Sequence, residues 1–275
     1  MSSAINDGPS LLVTLALIVV EYVYVRGWYR LRSGLPDLLS TWRAAAFAIG
    51  LFSLWAAVGS PLAAMDHHLL TAHMAQHLLL MTVSAPLILL GTPVIVLLNG
   101  LPKRFADSIL GPLLQCSPVR ESGRALTHPV LCWLVGAAAV IGWHIPVVFE
   151  LGMRSDLWHE VEHGCFLAAG VLFWWPVVQP WPSLARLPQS CVPLYLFLAT
   201  LPCDVLSAVL VFCGRVVYPH YASAHRLFNI SPLRDQECAG ALMWVWVTFV
   251  YLVPSAVVTV RVLSPQQRAM KVEVV

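Results

Sequence analysis

Seven apolar runs, each near the length needed to cross a bilayer, most constrain what this chain can fold into. Their approximate cores are Leu11–Val25, Trp42–Ser60, His73–Leu98, Val130–Phe149, Leu157–Val178, Val192–Phe212 and Ala239–Val260, against a requirement of about twenty residues per helical span. Hydrocarbon offers no water to backbone N–H and C=O groups, so only helices and closed barrels can cross it, and runs of this length select helices. The first run is short and carries Glu21. Composition agrees: 59% of residues are hydrophobic and 11% charged, with a mean hydropathy of +0.76, whereas about a quarter of the residues in soluble domains are charged. The expected fold is all-α, a polytopic membrane helix bundle with seven transmembrane helices. No segment is left to bury a separate soluble core, so residues 1–275 read as a single integral-membrane domain with the lipid bilayer as partner.

The net charge of +2 and the lack of any basic tract argue against a nucleic-acid partner. The seven cysteines contain no CxxC pair and no regular spacing, so neither a zinc knuckle nor a disulfide framework is indicated. Cys165, two positions after His163, is the one nearest a histidine motif. The first ten residues, MSSAINDGPS, lack Lys and Arg, so the run behind them reads as a retained span.

Orientation follows from the basic residues. With the N-terminus outside, the cytoplasmic segments hold Arg26, Arg30, Arg32, Arg43, Lys103, Arg104, Arg120, Arg124, Arg186, Arg261, Arg268 and Lys271, which is twelve of the sixteen. Only Arg154, Arg215, Arg226 and Arg234 fall outside. The expected topology is N-terminus outside and C-terminus cytoplasmic. The histidines played no part in that assignment, yet all but His128 fall on the outer side: His67, His68, His73 and His77 at span three, His144 at the end of span four, His159 and His163 at span five, His220 and His225 before span seven. Chain-distant histidines gathered on one face suggest a site built between facing helices.

Residues four apart share a helix face, so His73, His77 and Met81 form one stripe, and two imidazoles with a thioether suit a soft or borderline metal. A polar helix end facing water would explain the same residues. LWHEVEHGCF repeats the spacing with His159 and His163, and offers Glu160 and Glu162 as partners to orient imidazoles. Glu beside His at a helix start is also ordinary solvated chemistry. His144, in WHIP (Trp143–Pro146), reads more readily as a headgroup-level residue than as a ligand. Asp204 lies at membrane depth in span six, where an ionisable group needs a partner or a wet cavity. Asp235, in DQECAGALMW, could cap span seven or contribute to a polar site, and Met243 lies on the same helix.

HMAQHLLLM (His73–Met81), APLILLGTP (Ala85–Pro93), WHIP, LWHEVEHGCFLAAGVLFWWPV (Leu157–Val177) and DQECAGALMW (Asp235–Trp244) together resemble the polytopic CtaG-type cytochrome c oxidase assembly factors. They occur in that family's order from span three onward. The resemblance implies a multi-pass protein of the bacterial inner (cytoplasmic) membrane that acts in maturation of haem-copper oxidases, with a copper-related role and oxidase subunits as partners. It matches His73, His77, His159 and His163 to the family's histidines and Asp235 to its acidic position. No soluble copper-chaperone domain with a CxxC is seen in the sequence, which leaves open how copper reaches the protein, a separate copper chaperone being one candidate partner.

The expectation is an assembly factor rather than an enzyme. Its metal would be copper, held by His73, His77, His159 and His163, with Met81 offering a thioether and Asp235 or Asp204 tuning the site. Three rivals stand beside it: a zinc-dependent intramembrane hydrolase with a His/Asp metal site, a haem-binding membrane cytochrome, and an assembly scaffold without a metal.

Overall fold

A computed structural model describes residues 11–34, 39–102, 104, 116–180, 187–224 and 228–264. His225, and Lys103, Arg186, Arg226, Arg268 and Lys271 of the charge pattern, lie outside the described residues. The described chain is helical: α1 Leu11–Leu31, α2 Thr41–Val58, α3 Leu70–Leu90, α4 Pro93–Gly100, α5 Ser117–Leu126, α6 Pro129–Trp143, α7 Pro146–Arg154, α8 Asp156–Val178, α9 Val192–Phe212, α10 Pro219–Ser223 and α11 Pro232–Leu263. Six helices are long and apolar enough to cross a bilayer, or seven if α5 and α6, bent by 62° at their junction, count as one span. The protein is thus a polytopic all-α membrane bundle, and even the short first run forms a full 21-residue helix.

Prolines set where spans three and four depart from the expected boundaries. The third run ends at Gly91 and restarts as α4, because Pro93 cannot continue the helix and the chain turns through Thr92 at φ 50° and ψ 54°. Left-handed backbone is costly for a β-branched residue. The fourth run stops at Trp143: Ile145 precedes Pro146 and is extended at ψ 124°, as pre-proline residues prefer. What was one expected span is a 15-residue helix followed by the short α7.

Helix α3 carries a π-helical turn at Leu79–Ser84, where the Ala85 N–H reaches back to the Leu80 carbonyl. Pro86 lacks the N–H that an α-helix would offer to the Thr82 carbonyl, and widening the turn relieves the ring clash there. Side chains serve backbone carbonyls at this turn: Trp174 Nε1 donates to Met81 O at 3.1 Å and Thr82 Oγ1 to Leu78 O at 2.7 Å. The turn also shifts the helix phase, so the stripe of His73 and His77 does not run on unchanged to Met81.

The main core lies among α3, α6, α8, α9 and α11, with Met74, Leu80, Phe166, Phe173, Leu196 and Tyr251 at its centre. A second cluster, Tyr24, Trp28, Phe47, Leu51 and Val96, joins α1, α2 and α4. Helix α11 has 32 residues, about 48 Å at 1.5 Å per residue, and so outruns a hydrocarbon layer of about 30 Å.

Helix α8 can lie against the π-turn because Gly170 has no side chain. A Cβ there would stand 2.8 Å from Met81 Cα and O and 3.0 Å from Ala85 Cβ, whereas one at Gly164 on the same helix would meet nothing within 4 Å. Gly170→Ala is expected to cost about 1–3 kcal/mol by overpacking. Gly164→Ala should be neutral or slightly stabilising. Thermal unfolding of both variants in detergent checks the difference.

Candidate metal centre

The histidine motifs converge because two helices place them on facing surfaces. On α8, His159, Glu162 and His163 are three and four residues apart and share one face, while Glu160 points away and is exposed. On α3, His73 and His77 occupy the first turns of the helix, and their ring centroids are 4.3 Å apart. His73 is fully buried, His77 is 4% exposed and Glu162 1%.

Glu162 Oε1 lies 3.5 Å from His73 Nε2 and 3.4 Å from His77 Nε2. These separations exceed the 2.7–2.9 Å of a charge-assisted hydrogen bond. Two donors about 2.0 Å from one tetrahedrally held ion stand roughly 3.3 Å apart, close to what is observed. Both ring nitrogens of His73 and His77, both oxygens of Glu162 and Nε2 of His163 are buried without a hydrogen-bond partner. Buried polar atoms are nearly always paired, so a cluster of unpaired ones marks a place where something else binds. His163 lies beside this group, with its ring 5.8 Å from that of His77 and 4.3 Å from that of His159. Gly152 on α7 makes room for the carboxylate, since a Cβ there would fall 2.8 Å from Glu162 Oε2.

A second trio lies beside the first. Asp66, in the connection before α3, has Oδ2 3.5 Å from His159 Nε2 and Oδ1 3.8 Å from His67 Nε2. Burial pushes the Asp66 carboxyl above its usual range, and His67 and His73 oppose that shift. Among the described residues, these are the two groups of three His or carboxylate residues close enough to share an ion.

The connection after α9 braces both groups. Tyr221 Oη donates to Asp66 O at 2.7 Å, Tyr218 Oη donates to His144 O at 3.1 Å, and His220 Nε2 lies 3.0 Å from His67 O. The backbone N–H of His220 is held by Glu150 Oε1 at 2.9 Å. His144 is buried: Nδ1 lies 2.6 Å from Val140 O and Nε2 3.2 Å from Met74 Sδ. With Nδ1–H donated to the carbonyl, the Nε2 lone pair faces the sulfur.

The structure therefore brings His73, His77, His159 and His163 together. Met81 sits deeper, lining with Met74, His77, His144, Cys203 and Met243 a narrow cavity below the histidines. Asp235 is buried but otherwise engaged: it accepts from Leu70 N at 2.6 Å, Thr71 N at 3.2 Å and Thr71 Oγ1 at 2.6 Å. It thus caps α3, the helix that carries the histidines, across 165 residues of sequence. Asp204 lies half-buried on α9 with Oδ1 unpaired, outside both trios. Sequence reasoning treated Glu162 only as an orienting partner and missed Asp66 and Met74. The run Asp66-His67-His68 carried a visible signal for Asp66, a carboxylate directly before paired histidines, whereas Met74 had none beyond its place between them.

The family model described as cytochrome c oxidase caa3 assembly factor (Caa3_CtaG) matches residues 22–264. The chain is similar to the uncharacterized protein ML1998 of Mycobacterium leprae, 25% identical over 240 residues, and to Mb0105 of Mycobacterium bovis and MT0111 of Mycobacterium tuberculosis, each 25% identical over 237 residues. The aligned regions cover 85% of this chain but 36% of each relative, so the chain spans about a third of the length of the curated relatives it matches. No solved structure matches it. With the family match running from the first span to the end of the last, this chain belongs to the caa3-type cytochrome c oxidase assembly factor family, CtaG.

Proposed function

We propose that the protein binds copper between α3 and α8 and delivers it to a haem-copper oxidase during assembly. The observation that carries this reading is the set of buried, unpaired donor atoms on His73, His77 and Glu162, spaced as ligands of one ion are, with the unpaired Nε2 of His163 beside them. A buried carboxylate without hydrogen-bond donors needs a cation or a proton beside it. Membership of an oxidase assembly family supports copper as that cation, and copper heads the affinity order of divalent first-row metals for imidazole donors. Release would proceed by exchange of these ligands for those of the recipient. In this reading the histidine end of the bundle faces the outside of a bacterial inner membrane, oxidase subunits receive the metal, and a separate copper chaperone supplies it.

Met81, with Met74 and Met243, lines the cavity under His77 and would hold the reduced ion should it move deeper. Asp235 positions the site by capping α3. One observation favours a second reading: two histidines and a glutamate are also a ligand set of catalytic zinc, which keeps a fourth position for water. A zinc-dependent hydrolase would retain zinc in place of copper and turn over a lipid or amide substrate.

Metal analysis of the detergent-purified protein is expected to give about one tightly held copper, lost in a His73→Ala/His77→Ala variant. Retention of zinc in place of copper would favour the hydrolase, and equal copper in protein and variant would contradict the site. Gly152→Ala is expected to push the Glu162 carboxylate out of place and weaken copper binding about 10–100-fold, the range seen when groups that orient ligands are disturbed. A competition titration against a chelator reads that loss. Asp235→Ala is expected to lower stability by about 1 kcal/mol, as loss of a helix cap does, while the copper stoichiometry is unchanged.

A further inference from the structure

We propose that Asp66, His67 and His159 form a second cation site, nearer to water, through which the buried site is loaded; the proposal rests on the copper reading of that buried site. One donor atom from each of the three residues lies within 4.8 Å of the other two. Asp66 presents its two oxygens to different imidazoles, Oδ2 to His159 and Oδ1 to His67. Its side chain is 2% exposed, and Oδ1 and His159 Nε2 are both buried without a hydrogen-bond partner. The three donors, one carboxylate and two imidazoles, match a divalent cation such as Cu(II) and include no sulfur.

Position gives this trio its role. His67 lies in the connection between α2 and α3, and its side chain is 41% exposed. His73 is completely buried and His77 is only 4% exposed. His159 stands between the two groups: its ring is 5.1 Å from that of His67, 5.5 Å from that of His73 and 4.3 Å from that of His163. An ion held by Asp66, His67 and His159 can exchange His67 and Asp66 for His73 and His163 one ligand at a time, with no change of oxidation state. Tyr221 and His220 hold the backbone of Asp66 and His67, so the outer site is fixed rather than formed on binding.

The test is titration of the detergent-purified full chain with Cu(II) in a weakly chelating buffer, with stopped-flow tryptophan quenching to follow loading. The wild-type protein should bind two equivalents, one weaker than the other. His67→Ala, which removes a half-exposed side chain from a connection outside the helical core, should lose the weaker equivalent and slow filling of the tight site by about tenfold or more, leaving its final occupancy unchanged. Asp66→Asn should do the same. Two equivalents and a wild-type loading rate in both variants would overturn the outer site, as would a single equivalent in the wild type with loading unchanged in His67→Ala; either result leaves the buried site standing. A wild-type protein that binds no copper would overturn both readings at once.

Discussion

The carboxylate of Glu162, buried among imidazoles and without a hydrogen-bond donor, is the constraint on which the arrangement around it depends. In a low-dielectric interior such a group is tolerated only with a compensating charge or proton. The surrounding structure keeps it there: Gly152 leaves the space it fills, and the three- and four-residue spacing on α8 aims it with His159 and His163. The Asp235 cap then fixes the start of α3 opposite. These contacts come from segments far apart in sequence, so the cluster is a property of the whole bundle rather than of one motif.

The π-turn in α3 lies between the histidine-bearing first turns of that helix and its proline-containing end. Above it, the first turns present His73 and His77 to α8. In the turn and directly after it, Met81 and Ala85 pack against Gly170, and the Met81 carbonyl accepts from Trp174 Nε1. Pro86 is the local cause, yet the turn persists because side chains from α8 and α11 serve it: Trp246 Nε1 donates to Thr82 Oγ1 at 2.8 Å. π-turns recur beside functional sites, and this one follows directly on His77, at the cavity lined by Met74, His77, Met81, His144, Cys203 and Met243.

Much of this was legible in the sequence. Length and hydropathy were enough for an all-α membrane bundle, and four-residue spacing was enough to place His73 with His77 and His159 with His163. Breaks inside spans were harder to read: Pro93 and Pro146 were visible, but whether a proline kinks a helix or ends it depends on what the freed backbone can pack against. Asp235 shows the same limit. Its place at the start of α11 fits a cap for its own helix, but in the folded chain it caps α3, a pairing that only the tertiary fold creates. Glu160 and Glu162 were equivalent as neighbours of histidine, and the helical phase separates them, one exposed and one buried at the centre of the site.

The central claim, that His73, His77 and Glu162 hold one copper ion with His163 beside them, is tested most directly by X-ray absorption at the copper edge on the purified, copper-loaded protein. The account predicts a first shell of nitrogen and oxygen at about 2.0 Å with the outer-shell scattering of at least two imidazoles, and loss of the oxygen contribution in Glu162→Gln. A first shell dominated by sulfur at about 2.3 Å, or a spectrum unchanged by that substitution, would contradict it.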